Sequence, residues 1–156
     1  MKARGFTLIE VVITLAIIGL LTTAAMPLVQ LVAKREKEVE LRAALRDIRT
    51  ALDAYRTASL GGRIKMELGA TGYPPDLKSL YAGVPDETSE KKQNLYFLRR
   101  IPRDPFFPDG SVSAEDTWGV RSYQSPPEDP QPGDDVFDVY SLSTGTGLNG
   151  VAYRDW

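Results

Sequence analysis

The sequence contains no cysteine and no histidine. Ser-His, Cys-His and zinc-type centres are therefore excluded outright. An exported domain without cysteine also has no disulfide staple and must hold itself together by burial, helix docking or a metal. An excess of basic charge is lacking too: 19 basic side chains face 21 acidic ones, and without Lys2 and Arg4 the balance is 17 against 21. Nothing here suggests a nucleic-acid surface. Gly145-Thr146-Gly147 has no downstream lysine and is no phosphate loop. The carboxylate pairs Asp104/Asp109 and Asp134/Asp135 carry the residue types of acid-base chemistry, but acidic turns explain them more simply. No enzyme is expected.

What the chain does have is one long apolar run. Residues 6–33 hold a single charged side chain, Glu10. As a helix rising ~1.5 Å per residue these 28 residues reach roughly 42 Å, enough to cross a bilayer. An ionised carboxylate in hydrocarbon costs at least ~2.5 kcal/mol, so Glu10 needs a partner or a function. No basic side chain within the run supplies one. If the peptide bond after Gly5 were cut, the new α-amino group of Phe6 would sit four residues before Glu10. In an array of parallel helices, one copy's amine would meet a neighbour's carboxylate, and the charge would specify assembly. Small residues at 22–25 suggest an alternative cut by signal peptidase. That reading fails because the apolar run continues to Ala33 and then becomes amphipathic. A plain signal anchor with a stray acid is the bland alternative.

Lys2-Ala3-Arg4-Gly5 followed by Phe6-Thr7-Leu8-Ile9-Glu10 closely resembles the prepilin-peptidase motif of type IV pilins and type II secretion pseudopilins. The resemblance implies cleavage after Gly5 by a membrane aspartyl protease, N-methylation of Phe6, and a role for Glu10 in aligning and neutralising subunits. Lys2 and Arg4 keep the N-terminus cytoplasmic by the positive-inside tendency, with the remainder exported. Gly19 and Pro27 interrupt the apolar helix, and proline removes a backbone bond. In pilin-like filaments the corresponding stretch is often unwound, so residues 19–27 form the candidate flexible segment.

After Ala33 the mixed-charge run Lys34-Arg35-Glu36-Lys37-Glu38 marks the exit from lipid. Beyond it Leu41, Leu45, Ile48, Leu52 and Tyr55 recur at spacings of four and three, the stripe of a helix that packs one face on a domain. Arg42, Arg46, Asp47, Arg49, Asp53 and Arg56 are expected on its other faces, and Gly61-Gly62 predicts a stop near Ser59. Residues 63–93 read as irregular, with short helices predicted at 76–81 and 94–99. Strands are predicted at 118–123 and 135–141. The proline- and acid-rich residues 126–134 between them are expected to form an exposed loop.

Tyr73-Pro74-Pro75 with Leu77 and Leu80, Ile101-Pro102-Arg103-Asp104-Pro105, and the segment from Asp135 to Leu142 resemble, in order, three motifs of the major, G-type pseudopilin of type II secretion. Phe106-Phe107 stands where that family usually has tryptophan and glycine, and residues 108–117 are an insertion. Many members hold calcium with aspartates in the loop after the last strand. Here that loop, residues 143–153, contains no carboxylate, so no cofactor is expected and the loop should be held by backbone bonds. A substitute calcium cluster is conceivable from Asp134, Asp135 and Asp138.

The resemblance implies an α+β, pilin-like fold: a long N-terminal helix packed on a small antiparallel sheet domain. The expected divisions are a cleaved leader at 1–5, a transmembrane and assembly helix at 6–33, an amphipathic continuation at 34–60, and a periplasmic domain at 61–156. The implied function is a structural subunit of a type II secretion pseudopilus in the bacterial inner membrane. Its implied partners are further copies of itself, prepilin peptidase, membrane lipid before assembly, an assembly platform with its ATPase, minor pseudopilins and, indirectly, the outer-membrane secretin. The rivals are a minor pseudopilin or a type IV pilin serving adhesion, motility or uptake. From another class comes a membrane-tethered binding module or hydrolase that never assembles.

Overall fold

The computed structural model describes residues 5–91 and 93–156. The leader residues Lys2 and Arg4 lie outside the described residues. The elements are α1 (Leu8–Leu60), α2 (Ser79–Ala82), β1 (Val84–Pro85), β2 (Asn94–Leu95), β3 (Trp118–Arg121) and β4 (Asp138–Ser141), with 3-10 turns at Glu115–Thr117 and Tyr153–Asp155. The chain divides into two compact units, one ending at Lys37 and the other comprising Glu38–Trp156.

In the first unit the backbone of residues 5–7 is non-helical and α1 begins at Leu8. Helix assignment continues through Gly19 and Pro27. Thr22 and Thr23 return their hydroxyls to the carbonyls of Ile18 and Gly19 at 2.8 and 2.9 Å. Pro27 has no N–H to offer the Thr23 carbonyl, so the ladder has one rung fewer there.

The second unit is built on the predicted stripe. Leu41, Leu45, Ile48, Leu52 and Tyr55 are all buried, joined by Ile64, Leu77, Leu80, Ile101, Trp118, Val136, Val139 and Tyr153. Each fully buried aliphatic side chain contributes about 1.5–3 kcal/mol of transfer free energy. The helix ends one residue beyond the predicted stop, in a Schellman arrangement. Arg63 N–H bonds the Ala58 carbonyl at 2.9 Å and Gly62 N–H bonds the Ser59 carbonyl at 3.0 Å. Gly62 sits at φ +73°, which a residue with a Cβ rarely adopts.

The charged residues do not all face away, as the sequence reading expected. Arg49 reaches inward, donating to Asp138 Oδ1 at 2.8 Å and to the main-chain oxygens of Val139 and Trp156 at 3.2 and 2.9 Å. Arg56 lies over the Tyr73 ring, 5.1 Å from its centroid. Both occupy the margin of the apolar stripe, and a long arginine stem lets a marginal position serve the interior.

The antiparallel pair β3–β4 has the register Trp118↔Ser141 to Arg121↔Asp138. Both predicted strands are therefore present, though shorter. Residues 126–134 are exposed except for the buried Pro130. The helix predicted at 76–81 begins later, at Ser79, whose N–H and Oγ donate to Asp76 Oδ1 at 2.8 and 2.7 Å. The helix predicted at 94–99 is absent. Instead β2 pairs antiparallel with β1, and Phe97 and Leu98 both donate their N–H to the Leu80 carbonyl at 2.9 Å. The Phe97 ring meets Tyr55 at 5.3 Å between centroids, a tertiary contact that outweighs local helix preference.

Buried Asp104 ties the proline-rich segment to β4. Its carboxylate accepts Ser141 Oγ at 2.6 Å and Phe106 N–H at 2.8 Å, while its own N–H bonds Thr117 Oγ1 at 3.1 Å. The insertion at 108–117 is fastened by Arg103, whose guanidinium reaches the main-chain oxygens of Val112 and Asp109.

Candidate N-terminal assembly and processing segment

The Gly5–Phe6 peptide bond lies in non-helical backbone, three residues before the first helical residue. A peptide bond in that state is open to a protease, whereas one inside a helix would first have to be unwound. Thr7 begins the helix: its carbonyl accepts Val11 N–H at 3.3 Å and its hydroxyl accepts Glu10 N–H at 3.4 Å. Thr7-Leu8-Ile9-Glu10 thus has the spacing of a capping box, with threonine at the N-cap and glutamate at the third helical position. Glu10 is the only acid in the first turn, where the helix dipole favours a negative charge.

Every side chain described from Gly5 to Ala33 is exposed within this chain, including Phe6 at 84%. A helix long and apolar enough to cross a membrane starts at Leu8. An apolar surface of that length has no place in water, so lipid or other helices must cover it. Gly5, Phe6 and Glu10 thus fall in one short segment, with Glu10 four residues after Phe6.

The substitute metal cluster does not form. Asp138 is shared by two guanidinium groups, Arg49 on Oδ1 at 2.8 Å and Arg121 on Oδ2 at 3.2 Å. Asp135 accepts the Thr71 hydroxyl and, at 2.9 Å, the Tyr123 N–H. Asp134 is exposed on the acidic loop. Among the described residues no group of three or more carboxylates is placed to hold a metal ion. Asp104 and Asp109 do not act as a pair either. The first is a buried tie, and the second is held below the ordinary carboxylate range by Ser111, mainly through its hydroxyl and then its N–H.

Sequence reasoning missed Glu38. Its place in the mixed-charge exit run predicts a solvated side chain, yet it is only 5% exposed and its Oε1 accepts Leu148 N–H at 2.8 Å and the Tyr153 hydroxyl at 3.0 Å. The available signal was its spacing of three from Leu41, which continues the apolar stripe backwards by one turn.

Residues 1–26 match the family described as the prokaryotic N-terminal methylation motif. The chain is 30% identical over 112 residues to the type II secretion system core protein G of Pectobacterium carotovorum subsp. carotovorum, covering 67% of this chain and 63% of that protein. It is 29% identical over 149 residues to the protein of the same description from Klebsiella michiganensis, covering 90% of this chain and 94% of the relative. No solved structure matches significantly.

Proposed function

We propose that this chain, a G-type pseudopilin of the type IV pilin-like superfamily, is the repeating structural subunit of a type II secretion pseudopilus. In this reading it is made as a precursor, cut between Gly5 and Phe6 by prepilin peptidase, methylated on the Phe6 amine, and polymerised through its N-terminal helix. Before assembly the helix lies in the inner membrane with the domain on the periplasmic side. An assembly platform and its ATPase supply the work, because the chain carries no nucleotide-binding motif. The filament supports export through an outer-membrane secretin and cooperates with minor pseudopilins. The role is structural, with no enzymatic activity. Gly19 and Pro27 give the helix its flexible segment.

One observation carries this reading: an apolar run, residues 6–33, whose described side chains are all exposed and whose single charge is Glu10, just after a non-helical Gly5–Phe6 bond. The amine released at Phe6 is the counter-charge that the apolar run lacks. In hydrocarbon an adjoining copy supplies it, so pairing and polymerisation are coupled.

The test combines two measurements. Mass spectrometry of the natural N-terminus is expected to find a chain beginning at methylated Phe6. Glu10→Ala is expected to abolish sedimentable polymer in cells while the domain keeps the wild-type melting curve. A chain that retains residues 1–5, or a Glu10→Ala protein that polymerises like wild type, would refute the proposal.

A further inference from the structure

The loop after β4, residues 143–153, lacks the carboxylates with which a divalent cation would be gripped, and yet it is closely organised. Gly147 N–H bonds the Val151 carbonyl at 2.8 Å, Gly150 N–H bonds the Gly147 carbonyl at 3.0 Å, and Tyr153 N–H bonds the Gly145 carbonyl at 3.1 Å. Thr146 and Ala152 form a β-bridge. These bonds close the loop on itself. They do not attach it to the domain.

The attachment comes from one face of α1. Glu38, Arg42 and Arg49 follow the helical spacings of four and seven, on the margin of the buried Leu41, Leu45 and Ile48. Glu38 Oε1 accepts from both Leu148 N–H and the Tyr153 hydroxyl. The Arg42 guanidinium lies 4.1 Å from the centre of the Trp156 ring, and Arg49 bonds the Trp156 main-chain oxygen at 2.9 Å. The Tyr153 ring is set by its neighbours, stacked on Phe106 at 4.1 Å and edge-on to Trp156 at 5.1 Å. Its hydroxyl therefore meets the carboxylate without a search of rotamers.

We infer that Glu38 is the positioning residue of this loop: a buried anion on α1 receives the loop's own N–H and O–H donors and fastens it where a cation would otherwise draw carboxylates together. The chemistry is inverted relative to a metal site. A cation gathers oxygen acceptors, whereas here one oxygen acceptor gathers donors. A carboxylate accepting bonds from a main-chain N–H and a phenol forms charge-assisted bonds, which are about twice as strong as neutral ones. Tyr153 fits this role, its hydroxyl pushed up to about 12 first by burial and then by the Glu38 carboxylate. The loop keeps its place whatever the divalent-ion level around it. This inference does not depend on the secretion role, since it concerns the domain's own integrity.

Amide hydrogen exchange on the full chain in detergent tests it. Glu38→Ala is expected to speed exchange at Leu148 and across residues 145–152 by tenfold or more, with Ile48 and Leu52 staying protected. Glu38→Gln, which keeps an acceptor oxygen of the same reach, should restore at least half of the lost protection on a logarithmic scale. Millimolar EDTA or calcium should leave wild-type exchange unchanged. Should Glu38→Ala fail to fold, Tyr153→Phe, which removes only the hydroxyl donor, is expected to speed exchange at Leu148 severalfold. The inference is overturned if the loop exchanges at the wild-type rate in both Glu38→Ala and Tyr153→Phe. It is equally overturned if EDTA loosens the wild-type loop as much as the substitution does.

Discussion

Asp86 is the most heavily bonded carboxylate of the β1–β2 region. Oδ2 receives Arg63 Nη2 at 2.6 Å and Nε at 3.1 Å, and Oδ1 receives Thr88 Oγ1 at 2.6 Å and N–H at 3.0 Å. The Arg63 bonds, followed by that from the Thr88 hydroxyl, hold it well below its ordinary 3.8, at about 2. A carboxyl depressed in the folded state stabilises fully above its unfolded value, and that contribution is lost as pH falls toward the folded value. Wild-type melting temperature should therefore drop more steeply than that of Asp86→Asn between pH 4 and pH 2, and the two should run parallel above pH 5. Parallel curves throughout would mean that the bonds add nothing. Individual side chains differed in how well the sequence announced them. Glu10 stands out in the sequence because it is the one charge among the 28 residues of the apolar run. Arg49 and Glu38 do not, because both sit at the edge of the stripe. Whether a marginal charged residue turns to solvent or inward is decided by partners about a hundred positions away: Asp138, Leu148 and Tyr153.

The helix α1 was readable because its signal is periodic and long, and the pair β3–β4 because alternation and aromatic content mark it. The two-residue strands β1 and β2 carry no such signal. They exist because Arg63, Tyr55 and Leu80 receive them: Glu87 N–H bonds the Arg63 carbonyl at 2.8 Å, and the turn after β2 docks on Tyr55 and on the Leu80 carbonyl. Strands that short are products of tertiary contact, which is why residues 94–99 read as helical in the sequence and are not helical in the structure. The same division predicts how α1 responds to truncation of its side chains. Leu52, 1% exposed in the core, should cost about 2–5 kcal/mol on change to alanine. The readout is a lower urea midpoint for the domain with an unchanged m-value. Leu21, 64% exposed in the apolar run, should leave that midpoint unmoved when changed to alanine, because no part of the domain's core is removed. If both substitutions shift the midpoint alike, the two stretches of α1 are not the separate elements described above.

Two solvents are written into one chain. Up to Ala33 the described side chains are all exposed and are apolar apart from Glu10, Gln30 and four threonines, which is the surface of a helix made for lipid or for other helices. From Glu38 onward the helix belongs to a unit that closes its own core, with Leu41 as the first fully buried apolar side chain. The expected fold, a long N-terminal helix with a small antiparallel α+β domain, is the one observed, although the strands form two separate two-stranded ladders. Among the described residues no member of the core precedes Leu41, so residues 34–156 are expected to fold without the apolar run. A chain starting at Lys34 should therefore be soluble without detergent, sediment as a monomer, and keep the near-ultraviolet circular dichroism produced by Tyr55, Phe97, Phe106 and Tyr153, which pack against one another in pairs. It should also fail to enter filaments when added to the full-length protein, if assembly runs through Phe6 and Glu10 as proposed. Aggregation of the shortened chain, or loss of its near-ultraviolet signal, would show that the apolar helix is needed for folding. Entry of the shortened chain into filaments would move the assembly determinant from the helix to the domain.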